Sequence, residues 1–400
     1  MDFNGDNLTV YNSTRLDRYP AKMVSRLANK LVDRFAADAT RVLDPFSGSG
    51  AILVAAHRKG IEATGIDLNP IAAIFSHVKL NGFSQSASTQ LAERLIKKAA
   101  SSKRRLEIQW SAKHYWFTPT TIDKFERLRR VLEEEDLQSS NEGMAILLSF
   151  VLSIRLCSRA DQRSPKPFIS KDAIQARKGK HFDPYRTCMD LLGELAKLYS
   201  NVSSDGRSGF FLADISRSPS INKKIGKYSH IITSPPYINA QDYFRNFKLE
   251  LHLLESLLPF NACNIQHNFV GTERGDLLES VTPNVIEENY RMLPLLNNLE
   301  KSHPRLSAVV HRYFSDMGLA FDSLKKCLLP DGKFVLVCGD NLIGGLRVRT
   351  WQLLTAMLEQ RGFKLYDTFS DKIGDRMLAP KRCGHKGIIK EEVVCAFQLS

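Results

Sequence analysis

The sequence is short of cysteine pairs, of metal-ligand motifs and of long hydrophobic runs. Its 7 cysteines are odd in number and scattered, without a CxxC spacing, which argues against a disulfide framework and a structural zinc site. No stretch reaches the ~20 apolar residues of a membrane-spanning helix. The polar start MDFNGDNLTV lacks the basic and apolar regions of a secretory signal. We therefore expect a cytoplasmic protein with no membrane partner and no metal.

What remains is the composition of a folded protein with a basic excess. Of the 400 residues, 43% are hydrophobic and 25% are charged, which excludes a disordered or fibrous chain. The formal net charge of +13 fits either a polyanionic partner or plain solubility. Residues 84–208 carry 22 Lys+Arg against 15 Asp+Glu, and most of that excess lies between Arg155 and Lys180. This segment and the basic segment Arg376–Lys390 are candidate phosphate-contacting loops.

The order of apolar and turn-rich segments predicts an α/β fold. RVLD (41–44) and ATGID (63–67) are typical of short strands, and a segment of helical periodicity follows each of them. This alternation predicts a doubly wound, mostly parallel sheet, which the later strands extend to seven. The later strand-like runs are FFLAD (210–214), HIITS (230–234), KFVLVCG (333–339), FKLYDTF and EEVVCAFQL.

Two segments interrupt this alternation. Residues 84–208 predict a large helical insertion, with a weakly structured basic stretch at 159–183. Residues 246–308 predict a second, smaller helical insertion, which is acidic. Residues 1–83 and 209–400 then form the sheet domain, in which Pro330–Gly332 predicts a turn before the fifth strand.

A glycine-rich turn follows the first predicted strand. In the segment Asp44-Pro-Phe-Ser-Gly-Ser-Gly50, Gly48 and Gly50 allow a ligand to approach the backbone and the next helix to pack closely. Asp67 ends the second strand, near the offset at which an acid binds ribose hydroxyls. The pattern favours an adenosine-containing cofactor, while a tight turn without a ligand would use the same residues.

A second motif follows the fourth predicted strand. Ser234-Pro-Pro-Tyr237 combines a hydroxyl, two prolines that remove N–H donors, and an aromatic ring. Such a segment presents hydrogen-bond acceptors and a stacking surface, which suit the exocyclic amino group of a flat base. Taken alone, the motif is more often a rigid turn with a core tyrosine. At the same sheet edge as the glycine turn, it favours a functional site.

Together these motifs resemble the AdoMet-dependent DNA amino-methyltransferases, specifically the Ser-Pro-Pro-Tyr group that methylates cytosine N4. The matching segments run through most of the chain: Arg18-Tyr-Pro-Ala-Lys22, DPFSGSG, GIDLNP, Leu212-Ala-Asp-Ile215, TSPPYINAQDY and KFVLVCGDN. The resemblance implies a Rossmann-like class I methyltransferase fold with S-adenosyl-L-methionine as methyl donor. It also implies double-stranded DNA as substrate and base flipping. A cognate restriction endonuclease or another defence-system subunit is the expected partner.

The resemblance gives each motif a role. It implies catalytic roles for Ser234, Pro235, Pro236 and Tyr237. It implies cofactor binding by Tyr19, Asp44, Phe46, Gly48, Gly50, Asp67 and Asp214, with Tyr19 near the methionine end and Asp214 near the adenine. Asp242 and Tyr243 follow the catalytic motif, and their roles are open.

The basic segments supply the predicted nucleic-acid contacts. We expect DNA phosphates to be bound by Arg163, Lys166, Arg177, Lys178, Lys180, Lys381 and Arg382. Their charge favours the insertion 84–208 over the acidic insertion 246–308 as the target-recognition region. A DNA adenine-N6 or RNA amino-methyltransferase would use the same geometry and stays an alternative. A catalytically silent nucleic-acid-binding module is the lower alternative.

Overall fold

The structure is a computed structural model that describes most of the chain. It describes residues 16–17, 19, 22–164, 166–178, 182–203, 206–218, 220–238, 243–272, 293–372 and 391–400. The chain divides into two compact units. The helical unit comprises residues 1–20, 70–206 and 243–262, and the sheet unit comprises residues 21–69, 207–242 and 263–400.

The sheet unit contains a seven-stranded sheet, as the sequence predicts. Its strands, numbered along the chain, are β1 (Arg41–Asp44), β2 (Glu62–Asp67), β3 (Gly209–Leu212), β4 (Tyr228–Thr233), β5 (Leu328–Cys338), β8 (Phe363–Lys372) and β9 (Glu391–Leu399). Their order in the sheet is β3-β2-β1-β4-β5-β9-β8. The strands β3, β2, β1, β4 and β5 pair in parallel, and β9 is antiparallel to both β5 and β8. Only β9 therefore runs against the others, and the doubly wound, mostly parallel α/β fold is confirmed.

Helices pack on this sheet through apolar faces. They are α1 (Ser25–Phe35), α2 (Ala51–His57), α10 (Ile221–Ile225), α14 (Leu293–Ser302), α15 (Pro304–Cys327) and α16 (Thr350–Glu359). In α15, Phe314 and Phe321 are fully buried, and the Phe321 ring meets Phe334 of β5 edge-on at 5.9 Å. Phe334 also contacts Phe363 of β8, so one aromatic cluster joins the helix to two strands. This cluster belongs to the main hydrophobic core of the sheet unit.

The helical unit is built around one apolar helix. Its helices are α3 (Pro70–Asn81), α4 (Gln85–Ser101), α5 (Lys113–Trp116), α6 (Pro119–Glu133), α7 (Asn141–Cys157), α8 (Lys171–Arg177), α9 (Pro184–Tyr199), α11 (Tyr243–Asn246) and α12 (Lys248–Leu254). α13 (Ala262–Ile265) begins at its boundary. α7 is buried along nearly its whole length and contacts α3, α4, α9 and α12. The helix can lie at the centre of this unit because its side chains are apolar on nearly all sides.

Three local features differ from the sequence predictions. The stretch 159–183, predicted to be weakly structured, contains α8, which Ser170 caps by accepting the Ala173 N–H. The predicted turn Pro330–Gly332 lies within β5 as a bulge, since the pairing shifts between Leu328 and Lys333. A hairpin that was not predicted, β6 (Asn341–Ile343) with β7 (Leu346–Val348), follows β5. Among the described residues, no helix is both long enough and apolar enough to cross a membrane.

Candidate active site

The candidate site lies where the strand order reverses, between β1 and β4. Leu43 of β1 pairs with Ile231 of β4, so the two strands end side by side. The Thr233 hydroxyl at the end of β4 donates a hydrogen bond to Oδ1 of Asp44 at the end of β1, at 2.7 Å. Doubly wound sheets bind ligands outside the carboxyl ends of their strands at such a reversal. This hydrogen bond therefore places the starts of the two sequence motifs next to each other.

The glycine-rich motif forms a tight turn between β1 and α2. Gly48 (φ +50°) and Gly50 (φ +81°) adopt left-handed backbone conformations, which favour glycine. The Gly50 N–H donates to the Ser47 carbonyl at 2.8 Å, and the Ser47 N–H donates to the Ile66 carbonyl on β2 at 3.1 Å. The turn is thus bonded both within itself and to the neighbouring strand.

Asp67 supports this turn from the end of β2. Its Oδ2 accepts the Gly48 N–H and its Oδ1 accepts the Asn69 N–H, each at 2.9 Å. Burial raises the pKa of Asp67 to about 6, although the hydrogen bonds from Asn69 and Gly48 lower it. The structure therefore gives this acid a role in shaping the turn, and the predicted contact with a ribose stays a prediction.

Asp44 is the more deeply buried of the two acids, with 4% of its surface exposed. Its Oδ1 accepts both the Thr233 hydroxyl and the Phe46 N–H, the latter at 3.2 Å. Burial raises the pKa of Asp44 to about 7; the bonds from Thr233 and Phe46 oppose this rise, and the nearby charge of Asp67 adds to it. A cationic group of a ligand would stabilise this carboxylate.

The Ser234–Tyr237 segment leaves β4 directly. Ser234 and Pro236 are partly exposed, whereas Pro235 and Tyr237 are buried. Tyr237 is 6% exposed, and its hydroxyl donates a hydrogen bond to the carboxylate of Glu392. Packing and the bond to Glu392 thus fix the orientation of the Tyr237 ring.

The backbone after the motif is held as well. Asn341, the first residue of β6, donates from Nδ2 to the Ile238 carbonyl at 3.0 Å. Its Oδ1 accepts the Thr350 hydroxyl at 3.1 Å, which fixes the amide orientation. Thr233 and Asn341 lie in the matching segments TSPPYINAQDY and KFVLVCGDN, but the sequence assigned them no role. Glu392 was not found at all, because it lies 155 positions from Tyr237 and no local pattern marks it.

Asp214 lies just beyond β3 in a cluster of charged groups. Its Oδ1 accepts the Ser216 N–H at 2.9 Å and the Ser216 hydroxyl at 2.5 Å, and its Oδ2 lies 3.6 Å from the Arg217 guanidinium. Arg217 also donates to Asp316 of α15 at 2.8 Å. Burial raises the pKa of Asp316 to about 6, against the lowering effect of Arg217. The predicted adenine contact of Asp214 stays a prediction.

Tyr19 lies in the helical unit. Its ring contacts Phe247 at 5.3 Å between centroids and Phe75 edge-on at 6.3 Å. With 7% of its surface exposed, it is part of the core of that unit. The predicted contact with the methionine end of the cofactor stays a prediction.

The basic segment of the helical unit is partly used for internal contacts. Arg155 is buried and donates to the Asp161 and Ser164 carbonyls at 3.1 and 2.8 Å, so it adds no charge to the surface. Arg163 pairs with the Asp161 carboxylate at 2.6 Å. Arg163 holds the pKa of Asp161 well below its usual range. The segment from Arg155 to Lys180 holds eight Lys and Arg residues, and this count therefore overstates the charge that a polyanion could meet.

The other predicted phosphate-contacting residues differ from one another. The half-buried Arg177 donates to the Leu156 carbonyl at 3.0 Å and lies over the Phe182 ring at 4.4 Å. Lys178 is exposed and Lys166 is partly exposed. Lys180, Lys381 and Arg382 lie outside the described residues, as does Asp242, while Tyr243 begins α11.

Within the described part of the chain, no group of three or more His, Cys, Asp or Glu side chains could hold a metal ion.

Comparisons with known proteins agree with the motifs. The family described as DNA methylase, which covers N6 and N4 methyltransferases, matches residues 3–74. The Type II methyltransferase M.AvaI of Nostoc sp. is 25% identical over 386 residues, covering 85% of this chain and 76% of that protein. The Type II methyltransferase M.BsoBI of Geobacillus stearothermophilus is 24% identical over 417 residues, covering 87% of this chain and 78% of that protein.

A solved structure also aligns over most of the chain. The rRNA methyltransferase aviRa of Streptomyces viridochromogenes covers 97% of this chain and 92% of its own, with 10% identity and a TM-score of 0.31. The fold of this chain is therefore assigned from its own strand order. The family match and the two curated relatives confirm the resemblance that the motifs predict: this chain resembles the DNA amino-methyltransferases, and the matches support an enzyme that methylates DNA with AdoMet.

Proposed function

We propose that this chain transfers a methyl group from AdoMet to the N4 amino group of cytosine in double-stranded DNA. The observation that carries the proposal is the hydrogen bond between Thr233 and Asp44, which joins the start of the Ser234–Tyr237 segment to the start of the glycine turn. The names of the Type II relatives favour a modification enzyme of a restriction-modification or defence system, acting in the cytoplasm of a bacterial or archaeal cell.

The residues around the glycine turn fit AdoMet as methyl donor. The buried Asp44 carboxylate is suited to a cationic group, and Gly48 and Gly50 add no side chain over the turn. Asp214 Oδ2 is buried and lies 3.6 Å from the Arg217 guanidinium. Among the described residues it accepts no hydrogen bond, and it could accept one from an amino group such as that of adenine. Asp67 would bind ribose hydroxyls, and Phe46 would line the same pocket. When bound, AdoMet supplies an electrophilic methyl group.

Ser234 and the adjoining carbonyls would prepare the nucleophile. The lone pair of the cytosine amino nitrogen is conjugated with the ring, so this nitrogen is a poor nucleophile. Acceptors at the Ser234 hydroxyl and at the Ser234 and Pro235 carbonyls would bind the amino hydrogens and favour a tetrahedral nitrogen. They would also stabilise the positive charge that develops there as the methyl–sulfur bond breaks. The nitrogen would then release one of its two protons to solvent, which leaves a neutral methylamino group. Holding both reactants in line can lower the barrier by roughly 7–11 kcal/mol.

Tyr237 would stack on the base once it has left the duplex. A paired base cannot reach this site, so it must be flipped out at a cost of a few kcal/mol. Because Tyr237 is 6% exposed, base binding must also uncover part of its ring. Phosphate contacts by Lys166, Lys178 and the other predicted basic residues would offset this cost.

Product analysis tests the proposal. The protein is incubated with methyl-labelled AdoMet and with duplex DNA or RNA, the nucleic acid is digested, and the nucleosides are identified by mass spectrometry. We expect N4-methylcytosine from DNA, and no product with Tyr237→Ala, which should still bind AdoMet. N6-methyladenine would contradict the choice of cytosine, label in RNA alone would contradict DNA as substrate, and absence of any product would contradict the enzyme itself.

A further inference from the structure

The tyrosine of the catalytic motif is anchored by an acid from the far end of the chain. The Tyr237 hydroxyl donates to a carboxylate oxygen of Glu392, 155 positions later in the sequence. The hydroxyl lies at the end of the ring opposite Cβ, so a bond there fixes the far end of the side chain. A hydrogen bond to a carboxylate is among the stronger ones that a neutral hydroxyl can donate.

The sheet topology explains why Glu392 reaches this site. In the antiparallel pair of β5 and β9, Cys338 at the end of β5 pairs with Val393, next to Glu392. The start of β9 therefore lies at the sheet edge where the parallel strands β4 and β5 end. On its other side, β9 pairs Glu392 with Asp371 of β8. β9 is thus held by strands on both sides, and Glu392 lies one residue beyond its pairing with β5, at this edge of the sheet.

The chain after Tyr237 is anchored too. Asn341 binds the Ile238 carbonyl at 3.0 Å, and Thr350 holds the Asn341 amide. The residue is therefore held at the backbone that follows it and at the tip of its ring. Supporting contacts of this kind maintain the geometry that a functional side chain needs.

We infer that Glu392 is a positioning residue that orients the Tyr237 ring for stacking on the target base. The inference rests on the proposed function, because it assigns the ring that stacking role. Without the bond at its hydroxyl, the ring would be oriented less tightly by the remaining contacts and would meet the base in fewer productive orientations. The catalytic effect should then appear in turnover and not in AdoMet binding.

Four variants separate positioning from other roles. Glu392→Ala removes the acceptor, Glu392→Gln keeps one, and Tyr237→Phe removes the donor while keeping the ring. The exposed neighbour Glu391→Ala is the matched control on the same strand. We expect kcat to fall about tenfold with Glu392→Ala and with Tyr237→Phe, a loss typical of one hydrogen bond. We expect unchanged AdoMet KM, and near wild-type kcat with Glu392→Gln and Glu391→Ala.

The double variant and a fluorescent base complete the test. Glu392→Ala with Tyr237→Phe should be no slower than either single variant, because both remove the same bond. Duplex DNA with 2-aminopurine at the target position should show weaker quenching by Glu392→Ala than by wild type, since the base stacks less on Tyr237. Additive losses, equal losses for Glu392→Gln and Glu392→Ala, or unchanged quenching would overturn the inference.

The same measurements separate failure of the inference from failure of the function. If wild type forms N4-methylcytosine and Glu392→Ala keeps full kcat, the inference is wrong and the proposed function stands. If wild type methylates no nucleic acid, the proposed function is wrong, and the positioning role is overturned with it.

Discussion

At the scale of the residue, Asp44 is an acid whose ionisation the fold opposes. Burial raises its pKa from 3.8 to about 7. Because the folded chain holds this proton more tightly than the unfolded chain, Asp44 contributes its full stability below pH ~4 and loses it as the pH rises through ~7. A buried acid that lowers stability near pH 7 agrees with a functional role, here the proposed contact with a cationic cofactor.

Substitution of Asp44 tests whether its ionisation lowers the stability of the folded chain. We expect Asp44→Asn to unfold at higher urea concentration than wild type at pH 8, because the amide is neutral and its Oδ1 can still accept both hydrogen bonds. The gain should grow between pH 4 and pH 7 and then stay constant, at up to about 4 kcal/mol for a pKa shift of about three units. Urea denaturation at pH 5, 6, 7 and 8 measures it.

A second acid provides the control for this prediction. The Asp38 carboxylate is bound by Lys333, which lowers its pKa. Asp38 therefore contributes stability above its unfolded pKa, which is lost as the pH falls through the folded value. Asp38→Asn should reduce stability at pH 8, opposite to Asp44→Asn. A gain for Asp44→Asn that did not change with pH would contradict the assigned ionisation.

Residue by residue, the candidate site was predictable where its pattern is local in sequence, while the roles of its residues stay predictions. Asp44, Gly48 and Gly50 were found because a turn between a strand and a helix has a recognisable local pattern. Glu392 could not be found, since its role depends on β9 lying between β5 and β8. The phosphate role of Arg177 was predicted from charge, while its bond to the Leu156 carbonyl is a tertiary contact that composition does not encode.

At the scale of the element, the packing of α2 on β2 depends on Gly65. A Cβ built there would lie 2.6 Å from Leu53 Cδ1 of α2 and 2.8 Å from Ser47 Oγ of the glycine turn. Gly65 also pairs with Asp44, so it lies directly beside the glycine turn. The absence of a side chain at this position lets the helix and the turn lie against the strand.

We expect Gly65→Ala to displace Ser47 and Leu53 and to lose about 1–3 kcal/mol of stability, as overpacked cores do. The distorted turn should also bind AdoMet more weakly. Urea denaturation and calorimetric titration with AdoMet measure both losses. Gly209→Ala is the matched strand control, because none of the residues that the structure describes has an atom within 4 Å of a Cβ at that position. Equal behaviour of the two variants would refute the packing argument.

The basic segment is the second element with a testable role. Among the described residues of this segment, Lys166 and Lys178 are the lysines predicted to bind phosphates. Arg155 is buried and forms internal hydrogen bonds instead. We expect Lys166→Gln with Lys178→Gln to weaken DNA binding and to reduce the slope of log K against log salt by about 2, since each phosphate contact contributes about 0.9. Fluorescence anisotropy with labelled duplex between 50 and 200 mM salt measures the slope.

A matched pair of lysines tests whether position matters. Lys97 and Lys103 are also exposed in the helical unit but lie outside the basic segment. Lys97→Gln with Lys103→Gln removes the same charge and should leave the slope near that of wild type. If both double variants lower the slope equally, the effect comes from net charge, and the segment has no specific role.

At the scale of the whole molecule, the sheet and the helices were predictable to different degrees. The strands of the sheet unit were found because each is a short apolar run bounded by turn residues. α3 and residues 243–262 belong to the helical unit. This grouping depends on contacts between distant segments, so the sequence could not predict it. The predicted cofactor residues of the glycine turn, together with Asp67 and Asp214, lie in the sheet unit. The predicted cofactor residue Tyr19 and the described residues predicted to bind phosphates, Arg163, Lys166, Arg177 and Lys178, lie in the helical unit.

This division predicts that the two ligands protect different parts of the chain from hydrogen exchange. A ligand at 100 times its Kd stabilises the binding state by about 2.7 kcal/mol. Saturating S-adenosylhomocysteine, the product form of the cofactor, should therefore slow exchange mainly in peptides covering 41–69 and 209–237. Duplex DNA should slow exchange in peptides covering 155–178. Asp67→Ala at the same cofactor concentration should lose most of the first effect and keep the second. Protection by S-adenosylhomocysteine centred on 155–178 would contradict the placement of the cofactor site in the sheet unit.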